Sequence, residues 1–275
     1  MAATAVEAVI PGGGKPSNMT MMKRLFVLIL LFLSVSATFA GIYTPQSVPD
    51  PKQWGQDYYV SNPDGILSQA AVDSLNNLAW TLERAAGVEM AIVVLGSFRL
   101  TEEQEPNTCE LFEFNYELFN LWGIGDAKTN RGLLITVSYD DHQMFISTGT
   151  SLDADLPDAT CLFIQNNFML PRFREEDYDR GVIDGVIAIF GYLTDEDVKT
   201  QIDDAIESGD SDDSMSMIIG IALLVGIVFL RIRNKFRGGG GSWSSSGGSW
   251  GGGSSSSSGS WGGGSTSGGG AGSRW

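Results

Sequence analysis

From Ser68 onward the apolar residues Ala71, Val72, Leu75, Leu78, Ala79 and Leu82 recur at the spacing of one helix face. Ser68 stands where an N-cap oxygen is needed, and Gly87 where a left-handed residue closes a helix. The next eight residues, VEMAIVVL (Val88–Leu95), are apolar almost without a break, which predicts a short strand buried on both faces. A second helix is predicted over 108–121, with Leu111, Phe112, Phe114, Leu118 and Phe119 facing inward and Gly123 stopping it. GLLITVSY (Gly132–Tyr139) predicts the following strand. The strand–helix–strand order implies parallel strands joined by a right-handed crossover.

Asp140-Asp141-His142 reads as a turn, and QMFISTG after it alternates as an antiparallel partner strand would. Further helices are predicted over 156–169 and 178–192. Thr194-Asp195-Glu196-Asp197 caps a last, acidic helix that runs to about residue 207. The expected fold is α/β, a small mixed sheet flanked by helices, in a domain of about 150 residues that is large enough for a real core.

The ends have compositions that build no such core. Lys23–Ala40, KRLFVLILLFLSVSATFA, has basic residues, an apolar run and small residues before a cut after Ala40, which is a secretory signal pattern. Residues 1–40 are therefore expected to be an N-terminal extension and signal peptide, with translation starting at Met1, Met21 or Met22. Residues 41–56 are Pro-rich and read as an extended linker. Residues 194–214 hold the acidic helix and a linker.

Met215–Leu230, MSMIIGIALLVGIVFL, shows no polar face. As a helix its sixteen residues reach roughly 24 Å, short of the ~30 Å hydrocarbon core, and Arg231 and Arg233 can snorkel to lengthen it. A single membrane span over 215–233 is expected. Acidic residues precede it and Arg231, Arg233, Lys235 and Arg237 follow, so the domain at 41–214 is expected outside the cytoplasm and the C-terminal tail inside it. That tail, 234–275, is a basic flank followed by Gly and Ser punctuated with Trp243, Trp250, Trp261 and Trp275. Its composition predicts disorder.

Charge narrows the partners. Residues 41–214 carry 32 Asp and Glu against 9 Lys and Arg, a difference of 23 negative charges. Such a surface repels nucleic acid and concentrates cations. Cys109 and Cys161 are the two cysteines; in an exported domain they could bridge, and each also fits as a small buried apolar residue.

The familiar catalytic sets are missing. His142 is the single histidine and lies in a turn, which excludes a multi-histidine zinc site and leaves a serine triad without its elbow motif. GIGDAKT has Ala127 where a phosphate loop needs its last glycine, and it follows a helix rather than a strand, so nucleotide binding is excluded. DADLP has Pro157 where aspartyl-phosphate enzymes carry another residue. Oxygen ligands for a hard divalent cation remain: Asp64 in one turn, Asp126 and Asn130 in the glycine loop, Asp153, Asp155 and Asp158 before a helix. Ordinary turn and capping chemistry explains the same residues. In the glycine loop Trp122 is expected in the core, with Gly123 and Gly125 reversing the chain.

The motifs YVSNPDGILS, VEMAIVVL, FNLWGIGDAKTNRGLLITVSYDDHQMFISTGTSLDADLPDA and FMLPRFREEDYDRGVIDGVIAIF, in this order over 57–193, resemble the TPM domain family. The tail ending GAGSRW fits the layout of many bacterial members: signal peptide, exported domain, membrane helix and Gly/Ser-rich tail. The resemblance implies a Rossmann-like sandwich. It carries over Asp64, Asp126, Asn130 and Asp158 as acidic-pocket candidates, with Ca2+ or another divalent cation as the implied ligand. Plant members are associated with photosystem II repair and acid phosphatase activity, and an animal member acts beside a neurotransmitter receptor. Two functions are therefore expected as alternatives: a membrane-anchored, cation-binding accessory module for protein partners in the cell envelope, and a metal-assisted phosphatase acting on phosphomonoesters.

Overall fold

The computed structural model describes residues 41–105, 109–208 and 259–275, with Gly220, Gly226, Ile227 and Leu230 isolated between them. The signal pattern, nearly all of the apolar segment 215–230 and the first part of the Gly/Ser tail lie outside the described residues. Among the described residues no helix is long and apolar enough to cross a membrane.

The apolar runs become the middle of a sheet. Strands β2 (Val60–Ser61), β3 (Glu89–Leu95), β5 (Gly132–Ser138), β6 (Gln143–Thr148) and β7 (Gly269–Arg274) lie side by side in that order. The first three are parallel, and β6 and β7 each run antiparallel to their neighbour. Every residue of β3 and β5 is buried, as unbroken apolar runs require. Helix α1 (Gln69–Ala86) starts on the Ser68 side chain, which accepts from Ala71 N, and ends on Gly87 with φ +63°. Helix α2 (Leu111–Trp122) ends the same way on Gly123. Helices α3 (Asp158–Ile164), α4 (Leu170–Arg174), α5 (Tyr178–Thr194) and α6 (Glu196–Ser208) follow, with α1 packed on α5 and α2 on β5 and β6. Each fully buried Leu, Ile or Phe of this core contributes about 1.5–3 kcal/mol.

Four expectations are corrected. Residues 41–56 do not form a loose lead. They provide β1 (Ile42–Tyr43), paired in parallel with β4 (Ser97–Phe98), and a 3-10 turn (Pro51–Trp54) whose Lys52 is fully buried. Phe112 is 40% exposed, because its ring lies over Phe145 rather than under the helix. The helix expected over 156–169 is interrupted by a π-helical turn, Gln165–Met169, which aims Gln165 at the sheet.

The fourth correction concerns the tail. Residues 259–275 are not disordered: they cross the domain and end as β7. Composition predicts high chain entropy, but it does not show what the glycines allow. A Cβ on Gly270 would stand 2.0 Å from the Ile146 carbonyl oxygen, and one on Gly264 2.4 Å from that of Ile124. Glycine is what brings this backbone within hydrogen-bonding range.

Candidate functional site

Because β3 and β5 are parallel, their registers Glu89↔Gly132 and Leu95↔Ser138 define two ends of the sheet. Seven residues at about 3.3 Å each separate those ends by roughly 20 Å. The four residues carried over from the sequence are divided between them. Asp64 lies at the carboxyl end, where β2 leads into α1. Asp126, Asn130 and Asp158 lie at the amino end, in the loops before β5 and after β6. They do not converge. Among the described residues no group of three His, Cys, Asp or Glu is arranged to hold a metal ion.

At the amino end the polar oxygens serve the chain itself. Asp126 Oδ1 accepts from Lys128 N (2.8 Å) and Thr129 N (3.2 Å), the local turn that its loop predicts. Asn130 takes φ +47°, which asparagine tolerates, and its Oδ1 accepts from Ser265 N at 3.2 Å. Asp158 Oδ1 accepts from Gly270 N at 2.7 Å. Asp155 pairs with Arg131, and Asp153 accepts from the Thr148 hydroxyl. The tail thus occupies oxygens of two of the three candidates, and Ala127 N donates to Gly262 O (2.9 Å) beside the third.

Two buried charges at this end escaped the sequence reading. Glu89 sits inside the apolar run of β3, only 6% exposed, and its Oε2 accepts from Gly125 N (2.8 Å) and Gly262 N (3.0 Å). Burial raises its proton affinity, while those two amides and the Lys52 ammonium oppose the rise. Lys52 Nζ stands 4.0 Å from Glu89, donates to Gln56 O (2.6 Å) and lies 3.7 Å from the Tyr59 ring centre. Burial lowers its pKa against the pull of Glu89.

Trp261 completes this corner. Its Nε1 donates to Asp50 Oδ1 at 3.0 Å, and its ring lies on Lys52, edge-on to Tyr59 and flat against Trp122. Trp122 is therefore half-buried beneath the tail rather than sunk in the core.

The carboxyl end gathers a different set. Asp64 accepts from Gly41 N (2.7 Å) and the Tyr43 hydroxyl (3.0 Å) through Oδ1, and from Gly96 N (2.8 Å) through Oδ2. The Gly96 carbonyl accepts in turn from Asp140 N (2.9 Å), with the Ser138 hydroxyl oxygen 3.0 Å away. Asp141 Oδ2 accepts from the Ser97 and Ser138 hydroxyls at 2.8 and 2.6 Å. One residue, Gly96, ties Asp64 to the Asp140-Asp141 turn through its N–H and its carbonyl. Burial, then Asp141, then Asp64 push the Asp140 carboxyl above the usual range, and His142 pulls it back. The sequence marked Asp140 and Asp141 only as a turn. Their position after β5, at the end of the parallel strands where α/β sheets receive ligands, was the available signal.

Cys109 and Cys161 are free thiols, so of the two readings the sequence left open the unbridged one stands. Burial pushes the Cys161 thiol up to about 12.

A family profile described as the TPM domain matches residues 60–192. Among solved structures, the solution NMR structure of the N-terminal domain of a protein from P. gingivalis is similar, at 29% identity over 56% of this chain and 92% of that one, with a TM-score of 0.49. Among curated proteins none matches. Asp64, Gly96, Asp140 and Asp141 fall within the matched residues, whereas Lys52 and the tail with Trp261 fall outside them. Residues 60–192 of this chain thus match the TPM domain family.

Proposed function

We propose that the chain is an extracytoplasmic accessory module, attached to the membrane by its apolar segment, that serves a protein partner of the cell envelope and takes a divalent cation at its carboxyl end. The observation that carries the reading is the joining of Asp64 to Asp140 and Asp141 through Gly96. Burial first, and then the charges of Asp141 and Asp64, raise Asp140, and a cation would relieve the repulsive part. Calcium is the ion to try first, since oxygen ligands in a mobile number suit it. Asp64 and Asp141 already accept internal hydrogen bonds, so the ion would be held chiefly through Asp140 and the remaining lone pairs of its neighbours.

Export rests on the signal pattern, and attachment on residues 215–233. A single crossing, which the flanking charges favour, would keep β7 from pairing with its own domain.

Calcium, magnesium and manganese titrations of the detergent-solubilised full chain, read as thermal unfolding, test the cation. The midpoint is expected to rise with one of them, and Asp140→Asn to abolish the rise; a midpoint indifferent to all three ions sinks it. Phosphomonoester turnover that disappears in the same variant would make the cluster catalytic and replace the module by the phosphatase.

A further inference from the structure

We infer that the domain is a receptor for an extended, glycine-rich C-terminal peptide with tryptophans at both ends, and that residues 259–275 are its resident ligand. An ordinary edge strand is bonded on one side only. β7 is held on both. Its inner edge pairs with β6 along Gly269–Arg274. Its outer edge meets α3 and the π-helical turn, where the fully buried Gln165 donates through Nε2 to Ala271 O (2.7 Å) and Asp158 accepts from Gly270 N (2.7 Å). Two walls of different secondary structure, each reading main-chain polar groups, form a slot for a strand.

The slot selects by size. A Cβ at Gly269 would stand 2.5 Å from Asp153 Oδ1, and at Gly270 2.0 Å from Ile146 O. Upstream, side-chain oxygens of Gln56, Glu89, Asn130 and Asn120 accept from the backbone of Ser260, Gly262, Ser265 and Thr266. The ends are anchored by rings. Trp261 fills the corner of Trp122, Tyr59 and Lys52; Trp275 lies 4.8 Å from Phe173 and 5.4 Å from His142. Backbone-directed bonds between two aromatic sockets describe a peptide site. The fifty residues between Ser208 and Gly259 make its occupant covalently remote. The reading uses no cation and stands apart from the preceding proposal.

The experiment is to insert a specific protease site between residues 238 and 258 of the full chain, cut it, and follow the released fragment by gel filtration and β6 amide exchange. All residues are still present, so folding is not at issue. The fragment is expected to co-elute and to be replaced by excess synthetic 259–275 peptide, with W261A and W275A peptides at least tenfold weaker. An intact chain of monomeric mass with protected β6 assigns the resident to its own domain, and a dimer assigns it to a second copy. A fragment that separates, that never exchanges, or that exchanges equally with the tryptophan-lacking peptides overturns the receptor.

Discussion

Trp122 and Trp261 stack face to face, with ring centres 5.7 Å apart and planes 7° from parallel, although they lie 139 positions apart in the chain. The first closes α2 and the second opens the docked tail. Their contact, with Lys52 against the Trp261 ring, is where the tail meets the start of β3, whose Glu89 accepts from Gly262 N.

Removing the Trp261 ring should undock this end. Trp261 is 9% exposed, and truncating a ring so buried costs about 3 kcal/mol. Trp261→Ala is expected to lower the unfolding midpoint and to speed amide exchange in Gly262, Gly264 and β6 while leaving α1 and α5 protected. Unchanged exchange in β6 would show that the strand holds without its upstream anchor.

The glycine slot makes a sharper claim. At Gly270, φ +132° and the Ile146 carbonyl together leave no place for a side chain, so Gly270→Ala should release β7. Ser267, exposed in the same segment, is the control, and Ser267→Ala should change nothing. Limited proteolysis of the two variants compares them directly: cleavage within 259–275 is expected in the first and not in the second.

How much of this was legible follows from where each signal resides. Ser68, Gly87 and the unbroken run of β3 act within a few residues, so α1 and the sheet centre could be read directly. The π-helical turn could not, because Gln165 leaves the regular helix to meet Ala271, 106 positions away. The docked tail is hidden from its sequence for a related reason: glycine lowers local propensity and permits close approach at once, and only the approach depends on the partner. The site divided along the same line. Asp64, Asp126, Asn130 and Asp158 are each oxygen donors, and nothing short of the strand register tells that they face opposite ends.

Asp140 gives a pH test with a definite sign. Its folded pKa is raised above the unfolded value, so its charged form is the less stable one in the fold. The stability it contributes is complete when it is protonated and is lost as pH rises through the raised folded pKa. Asp140→Asn should therefore unfold at a higher temperature than the parent at pH 7, with the gap closing as pH falls below the ordinary carboxylate range. A variant less stable than the parent at pH 7, without added cation, would show that Asp140 makes a favourable contact its charge needs.

The thiols separate by burial. Cys161 is fully buried with its pKa pushed up to about 12, and Cys109 is half-buried, its thiol raised by burial and by Glu113. Thiolate is the reactive form, so a disulfide reagent at pH 8 should label Cys109 slowly and Cys161 only after denaturation. Two thiols per chain are expected in denaturant without reductant; none would mean that the pair is bridged.

Membrane topology supplies the last test, because β7 binds the C-terminus to the domain. β-sheet hydrogen bonds span less than 5 Å between strands, so the residues on both sides of a pairing share a compartment. Trp275 N donates to His142 O at 3.2 Å, and Phe173 packs on the Trp275 ring, which places the last residue of the chain on the domain itself. An epitope placed after Trp275 and one placed within 209–214 should therefore be reached from the same side of intact cells, by antibody or by added protease. If only the second is reached, residues 215–230 cross once, as their flanking charges imply, and β7 cannot form within a membrane-inserted chain. The slot beside β6 would then stand open outside the cell, free for a strand from another molecule.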